Sequence, residues 1–278
     1  MVIPAAPPDR RRGRRVTTPD GPDGPWVLGF ETGGDDLSVA LWRLPAAPGA
    51  PPSAWRLVDE TTSHRGHHNA DAVLLMVDQL LWRHGLAPRD LGLVTAGLGP
   101  GGFTGVRVGL ATAQGLALGL GAPLWPVPSL AALAQHAAGR GDALIVPLLD
   151  ARRGEVYGAA FRVGPYGTHD TVLAPRVATC DSFLSAVREA ADAHGAPPLV
   201  FGSGALTYGV ASPVPPDWHR GVARHVAALG ALAWDAAGRD AQAAPAVDPT
   251  YLRKSDAEID QEARQAAAQA RGGASDGL

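Results

Sequence analysis

The run Gly97-Leu-Gly-Pro-Gly-Gly-Phe-Thr-Gly-Val-Arg-Val-Gly109 is the segment best suited to bind a charged group. A glycine-rich turn between strand and helix presents backbone N–H groups at a helix N-terminus, which suits an anion. It is not a Walker A loop, because that loop needs a lysine and Lys254 is the only lysine in the chain. Nor do Gly97, Gly99, Gly101, Gly102 and Gly105 fit the dinucleotide fingerprint, and no acidic ribose partner is evident. The glycines continue into the helix as Gly105 and Gly109, then Gly115 and Gly119, each pair four apart. Each interior glycine costs about 1 kcal/mol of helix stability relative to alanine. Close approach of another backbone, a subunit interface included, is the favoured reason for tolerating that, with anion binding at the loop as the alternative.

Other residues could do chemistry, and each has a plainer reading. His64, His67 and His68 cluster, but Arg65 and Gly66 interrupt any helical face and no carboxylate completes a metal set. They read as loop or capping histidines. Asp150, Arg152, Arg153 and Glu155 could form an acid–base group with arginine clamps. A charged hairpin turn, with Gly154 supplying the unusual φ, is preferred. Ser203 lies in Phe201-Gly-Ser-Gly-Ala, which does not match the hydrolase nucleophile turn.

The elements that position these residues are legible from periodicity. Trp26–Phe30 and Leu37–Leu44 read as a β-hairpin around the turn Glu31–Asp36, and Trp55–Glu60 as a third strand. Asn69–His84 reads as a helix capped by Asn69 and stopped by Gly85. Val73, Leu74, Val77, Leu80 and Leu81 form its core stripe, while Leu75, Met76 and Trp82 lie off it, so the helix is buried twice or meets a partner. Leu91–Gly97 is the next strand, Thr104–Leu120 the next helix, and Ser129 reads as the cap of a helix Leu130–Ala138. A second, looser series follows: strands Ala143–Leu149 and Val156–Val163, a helix Asp181–His194, a strand Pro198–Gly202 and a helix Gly221–Gly238. The division expected is an N-terminal lobe over 26–128, a C-terminal lobe over 129–240, and a C-terminal segment with a frayed tail over 241–278.

Composition narrows the classes. The 278 residues are 46% hydrophobic and 18% charged, enough apolar material for a large core. The net charge of -3 creates no global field that would draw the chain to nucleic acid. One cysteine, Cys180, excludes an intrachain disulfide and points to a cytoplasmic location. Residues 1–25 read as a disordered, Arg/Pro-rich extension without the apolar region of a secretory signal, with an electrostatic arm for nucleic-acid phosphates as the alternative.

Gly99-Pro-Gly-Gly-Phe-Thr-Gly-Val-Arg-Val-Gly, with the helix after it, resembles the signature of the TsaB (YeaZ) family, although Gly102 replaces the usual serine. Asp150-Ala-Arg-Arg-Gly-Glu-Val-Tyr157 and Pro249-Thr-Tyr-Leu-Arg253 resemble two further family motifs in the same order. Leu28-Gly-Phe-Glu-Thr-Gly is similar to the family's first strand, with Glu31 where aspartate is usual. The resemblance implies an α/β fold of the actin-like ATPase (ribonuclease H-like) class, with two lobes that each hold a mixed sheet and flanking helices. It implies a pseudo-enzyme with no catalytic residue and no metal of its own, which supports TsaD in transferring threonylcarbamoyl to N6 of adenosine 37 in tRNA. TsaE assists, tRNA is met only through the complex, and a homodimer is a further possibility. The partner surface implied lies on the first two helices: Val73, Met76, Val77, Leu80, Gly105, Arg107, Gly109, Thr112, Gly115 and Leu116. A degenerate nucleotide site is implied at Glu31, Thr32, Gly33, Gly101, Gly102 and Thr104, with no intrinsic cofactor and ATP or ADP at most at the complex interface. A stand-alone ATPase or kinase of the same superfamily is the alternative function.

Overall fold

The computed structural model describes residues 24–64, 72–141, 143–164, 167 and 169–252. Asn69, His67, His68, the N-terminal arginines and the tail beyond residue 252 lie outside these.

The first lobe is built on a sheet of order β3-β2-β1-β4-β5, formed by β1 (Trp26–Glu31), β2 (Leu37–Arg43), β3 (Arg56–Ser63), β4 (Leu91–Gly97) and β5 (Leu124–Val127). β1 pairs antiparallel with β2 and parallel with β4, so the hairpin and the crossover helix share the central strand. Side chains alternate across β1 as a doubly covered strand requires. Leu28 and Phe30 face a core shared with α1 (Ala72–Arg83) and α2 (Phe103–Leu120). Val27 faces the other side, against Ala227, Ala231 and Trp234 of α6 (Ala223–Ala236). Gly29 lets α6 lie on the strand, since a Cβ there would stand 2.6 Å from the Ala227 Cβ.

The second sheet repeats the plan as β8-β7-β6-β9, from β6 (Leu144–Arg152), β7 (Glu155–Val163), β8 (His169–Thr179) and β9 (Pro198–Phe201). α4 (Cys180–His194) and α5 (Ser203–Thr207) cover one face, and α3 (Ser129–Ala134) the other. The hairpin, third strand and parallel crossover recur in both halves, giving two lobes that each hold a mixed sheet with flanking helices. α6 belongs to the second half of the sequence yet packs on the first sheet, so the lobes interlock instead of dividing at one boundary. No helix among the described residues is long and apolar enough to cross a membrane.

Strands β5 and β8 and helix α5 are absent from the sequence reading, which also ends β3 three residues early. Ser129 does not cap α3: Pro128 stands at that position and the serine hydroxyl is used elsewhere.

Candidate functional site

The end of β1 turns sharply at Glu31, whose side chain folds inward and is only 3% exposed. Its Oε1 accepts N–H bonds from Thr32 at 2.9 Å and Gly33 at 2.8 Å, and the Ser129 hydroxyl donates to its Oε2 at 2.7 Å. Gly97 leaves the space that the carboxylate fills, and Gly221 closes on it from the α6 side. Burial pushes the Glu31 carboxyl above its ordinary value, against the opposing pull of the bonds from Gly33, Ser129 and Thr32. Ser129 is the keystone: its N–H donates to the Gly99 carbonyl at 2.9 Å, and its Oγ accepts from the Gly99 N–H at 3.2 Å. One serine therefore joins the glycine-rich loop, the first strand and the start of the second lobe.

The two loops read as phosphate holders meet each other directly. The Gly102 N–H donates to the Gly33 carbonyl at 2.7 Å, and Gly101 sits so close to Gly33 that no Cβ fits between them. Deeper along α2, Thr32 donates its hydroxyl to the Gly105 carbonyl at 2.8 Å, and a Cβ at either Gly105 or Gly109 would overlap Thr32. The turn after β1 and the glycine-rich loop are thus in direct backbone contact. Thr104 and Gly102 remain exposed at the head of α2.

The C-terminal motif completes this cluster. The Thr250 N–H donates to the Leu98 carbonyl at 2.9 Å, and the Tyr251 ring lies 5.0 Å from that of Phe103. Arg107 stacks 3.6 Å above Phe103 and donates from Nε to the Tyr251 hydroxyl at 2.7 Å. Three of the four recognised motifs therefore converge in space, the first strand with its turn, the glycine-rich loop and the C-terminal motif, while the hairpin Asp150–Tyr157 lies in the other lobe. There the left-handed turn is spread over Arg152, Arg153 and Gly154 (φ 62, 52 and 83°), not carried by the glycine alone. Asp150 Oδ1 accepts from the Arg152 N–H at 2.8 Å, and Ser203 accepts from the Asp150 N–H at 3.2 Å. His64 pairs with Asp36 at 2.9 Å, and no group of histidine, cysteine or carboxylate side chains among the described residues could hold a metal.

The glycine pairs of α2 divide in function. Gly105 and Gly109 serve the contact with Thr32 inside the molecule, whereas a Cβ at Gly115 or Gly119 would meet nothing within 4 Å. The residues named for a partner surface divide in the same way. Val73, Met76, Val77 and Leu80 are core residues beneath their own sheet, and Gly109 is buried as well, so none of the five offers an outer surface. Arg107 and Gly115 are exposed, and Gly105, Thr112 and Leu116 half-buried. The large apolar side chains that are exposed on these two helices are Leu74, Leu75 and Trp82 on α1 and Leu118 on α2, the last 86% exposed. Leu75 and Trp82 were visible as off-stripe residues; Leu118 follows from the α2 face running through Ala111, Gln114 and Gly115.

The family model for TsaD, tRNA N6-adenosine threonylcarbamoyltransferase, matches residues 61–199, half of the chain. The Escherichia coli tRNA threonylcarbamoyladenosine biosynthesis protein TsaB is 35% identical over 137 residues, 49% of this chain and 54% of that one. Its Bacillus subtilis counterpart is 36% identical over 132 residues, 47% of this chain and 52% of that one. The chain thus spans about half the length of these curated relatives. A crystal structure of a Pseudomonas aeruginosa protein described as similar to peptidase YeaZ superposes with a TM-score of 0.61 at 27% identity, covering 82% of this chain and all of that one. The chain belongs to the family of the TsaD model, and the relatives it resembles are TsaB (YeaZ) proteins.

Proposed function

We propose that this chain is a non-catalytic docking subunit for tRNA threonylcarbamoyladenosine formation, which binds a TsaD-type transferase through the outer face of α1 and α2. One observation carries the reading. Of the seven large apolar side chains exposed among the described residues, four stand on these two adjacent helices: Leu74, Leu75, Trp82 and Leu118. Beside them the open backbone of Gly115 and Gly119 admits close approach of another helix. The glycine-rich loop supports the same reading, since its Gly102 N–H is spent on the Gly33 carbonyl and is not free for an anion. In this reading tRNA and TsaE meet the chain only through the complex, and the chain works in the cytoplasm without a cofactor of its own.

Reconstitution tests it. Purified TsaD-type transferase, TsaE and the threonylcarbamoyl donor should modify tRNA in the presence of this chain and lose most of that activity without it. Equal modification in its absence would refute the assignment. Steady ATP turnover by the isolated chain at roughly 1 per second or faster would favour the stand-alone ATPase instead.

A further inference from the structure

A cavity of about 490 Å³ lies away from the glycine-rich loop, between the outer strands of the first sheet, the end of α3 and the α6 helix. That volume is in the range of small-molecule sites. Trp42, Trp55, Leu57, Ala228 and Leu232 give it apolar walls. Both indoles are held in place by their own N–H groups, Trp42 donating to the Arg224 carbonyl at 3.1 Å and Trp55 to the Ala50 carbonyl at 3.2 Å. The rings therefore present carbon faces, not donors.

Gln135 also lines the cavity and is only 6% exposed. Its amide nitrogen makes one long bond, 3.4 Å to the Ala131 carbonyl, and among the described residues its oxygen accepts none. That oxygen is not among the fully enclosed polar atoms, so it keeps some exposure and is open to a partner. No bare charge accompanies it. Arg224 is engaged by Glu60 at 2.6 Å and Asp217 at 3.5 Å, so an anionic ligand would find its guanidinium already committed. Burial also holds the neighbouring His225 well below its ordinary value, and the ring is neutral.

From this geometry we infer that the cavity binds an uncharged, planar ring compound with an amide-like N–H/C=O edge. The rings would lie against Trp42 and Trp55, and the edge would pair with the Gln135 carboxamide. Both lobes and α6 supply walls, so an occupant would brace the interlock of the lobes. The site stands independently of the docking reading.

The bicyclic lactam isocarbostyril and the edgeless naphthalene are suitable probes, titrated against the full chain by saturation-transfer NMR. Isocarbostyril should bind saturably, at the ~0.1–1 mM level of a fragment. Gln135→Leu should weaken isocarbostyril at least about ten-fold while shifting naphthalene less than about two-fold. Ala228→Trp, which fills the cavity, should remove both. Thermal melts monitor folding, and Gln135→Met replaces the leucine variant if that one unfolds. Absence of saturable lactam binding, retention of it in Ala228→Trp, or indifference to the Gln135 substitution would each overturn the inference.

Discussion

Removing the Glu31 side chain tests the closed loop most sharply. Glu31→Ala strips acceptors from the Thr32 and Gly33 N–H groups and from the Ser129 hydroxyl, bonds of 2.7–2.9 Å. The Thr32 bond is only partly buried and water can replace it, whereas the other two are buried. Two buried groups left unpaired, at roughly 1–2 kcal/mol each, give an expected loss of about 3 kcal/mol. Glu31→Asp shortens the reach by one methylene and forfeits Ser129, for an expected loss of about 1–2 kcal/mol. Glu31→Gln keeps the shape and the acceptor oxygen, and near pH 4 should stay within about 1 kcal/mol of the native chain. The pH dependence separates the native chain from this last variant. Because the folded-state pKa is raised, the folded chain holds the proton longer than the unfolded chain. The Glu31 contribution is therefore greatest below the ordinary carboxylate value and declines as pH rises through the higher folded value, by up to about 1.4 kcal/mol per pH unit. Urea titrations of the native chain and Glu31→Gln from pH 4 to 8 should show the native chain losing stability relative to the variant as pH rises. A constant difference across that range, or a loss below about 0.5 kcal/mol in Glu31→Ala, would refute the reasoning.

The glycines of α2 give two further predictions. Gly105→Ala sets a Cβ against the Thr32 carbonyl, which is backbone and cannot swing away, so chemical denaturation should show a loss of about 2 kcal/mol or more. Gly115→Ala meets open space in a helix and should stabilise the isolated chain by about 0.5–1 kcal/mol in the same assay.

Much of this fold could be read from periodicity because its central elements are long and regular. β4 matches its expected bounds, and α2 begins one residue early. The misses have physical causes. β5 is four residues with Pro126 inside, which reads as a turn unless a sheet edge is known to be there. β8 is an edge strand with no buried residue and with Pro175 inside it, and its sequence shows no apolar alternation. The glycine-rich loop and its helix were visible as a site, but the partner that explains Glu31 was not. Ser129 lies 98 residues away, and nothing local in the sequence marks it as anything but a helix cap. Of the expected α1 stripe, Val73, Val77, Leu80 and Leu81 are core, but Leu74 is 55% exposed and Met76, expected off the stripe, is buried; Val73, Val77 and Leu80 cannot serve both a core and a surface. The off-stripe apolar residues, Leu75 and Trp82, were the better pointer to a docking face.

That face is best tested by calorimetric titration of a TsaD-type transferase with the native chain and with a Trp82→Ala, Leu118→Asp double variant. Both side chains are more than half exposed, so the variant should melt within a few degrees of the native chain. Losing an aromatic anchor and placing a charge in an apolar contact should weaken binding by about 3 kcal/mol or more, at least a hundred-fold. Unchanged affinity in a folded double variant would contradict docking through α1 and α2.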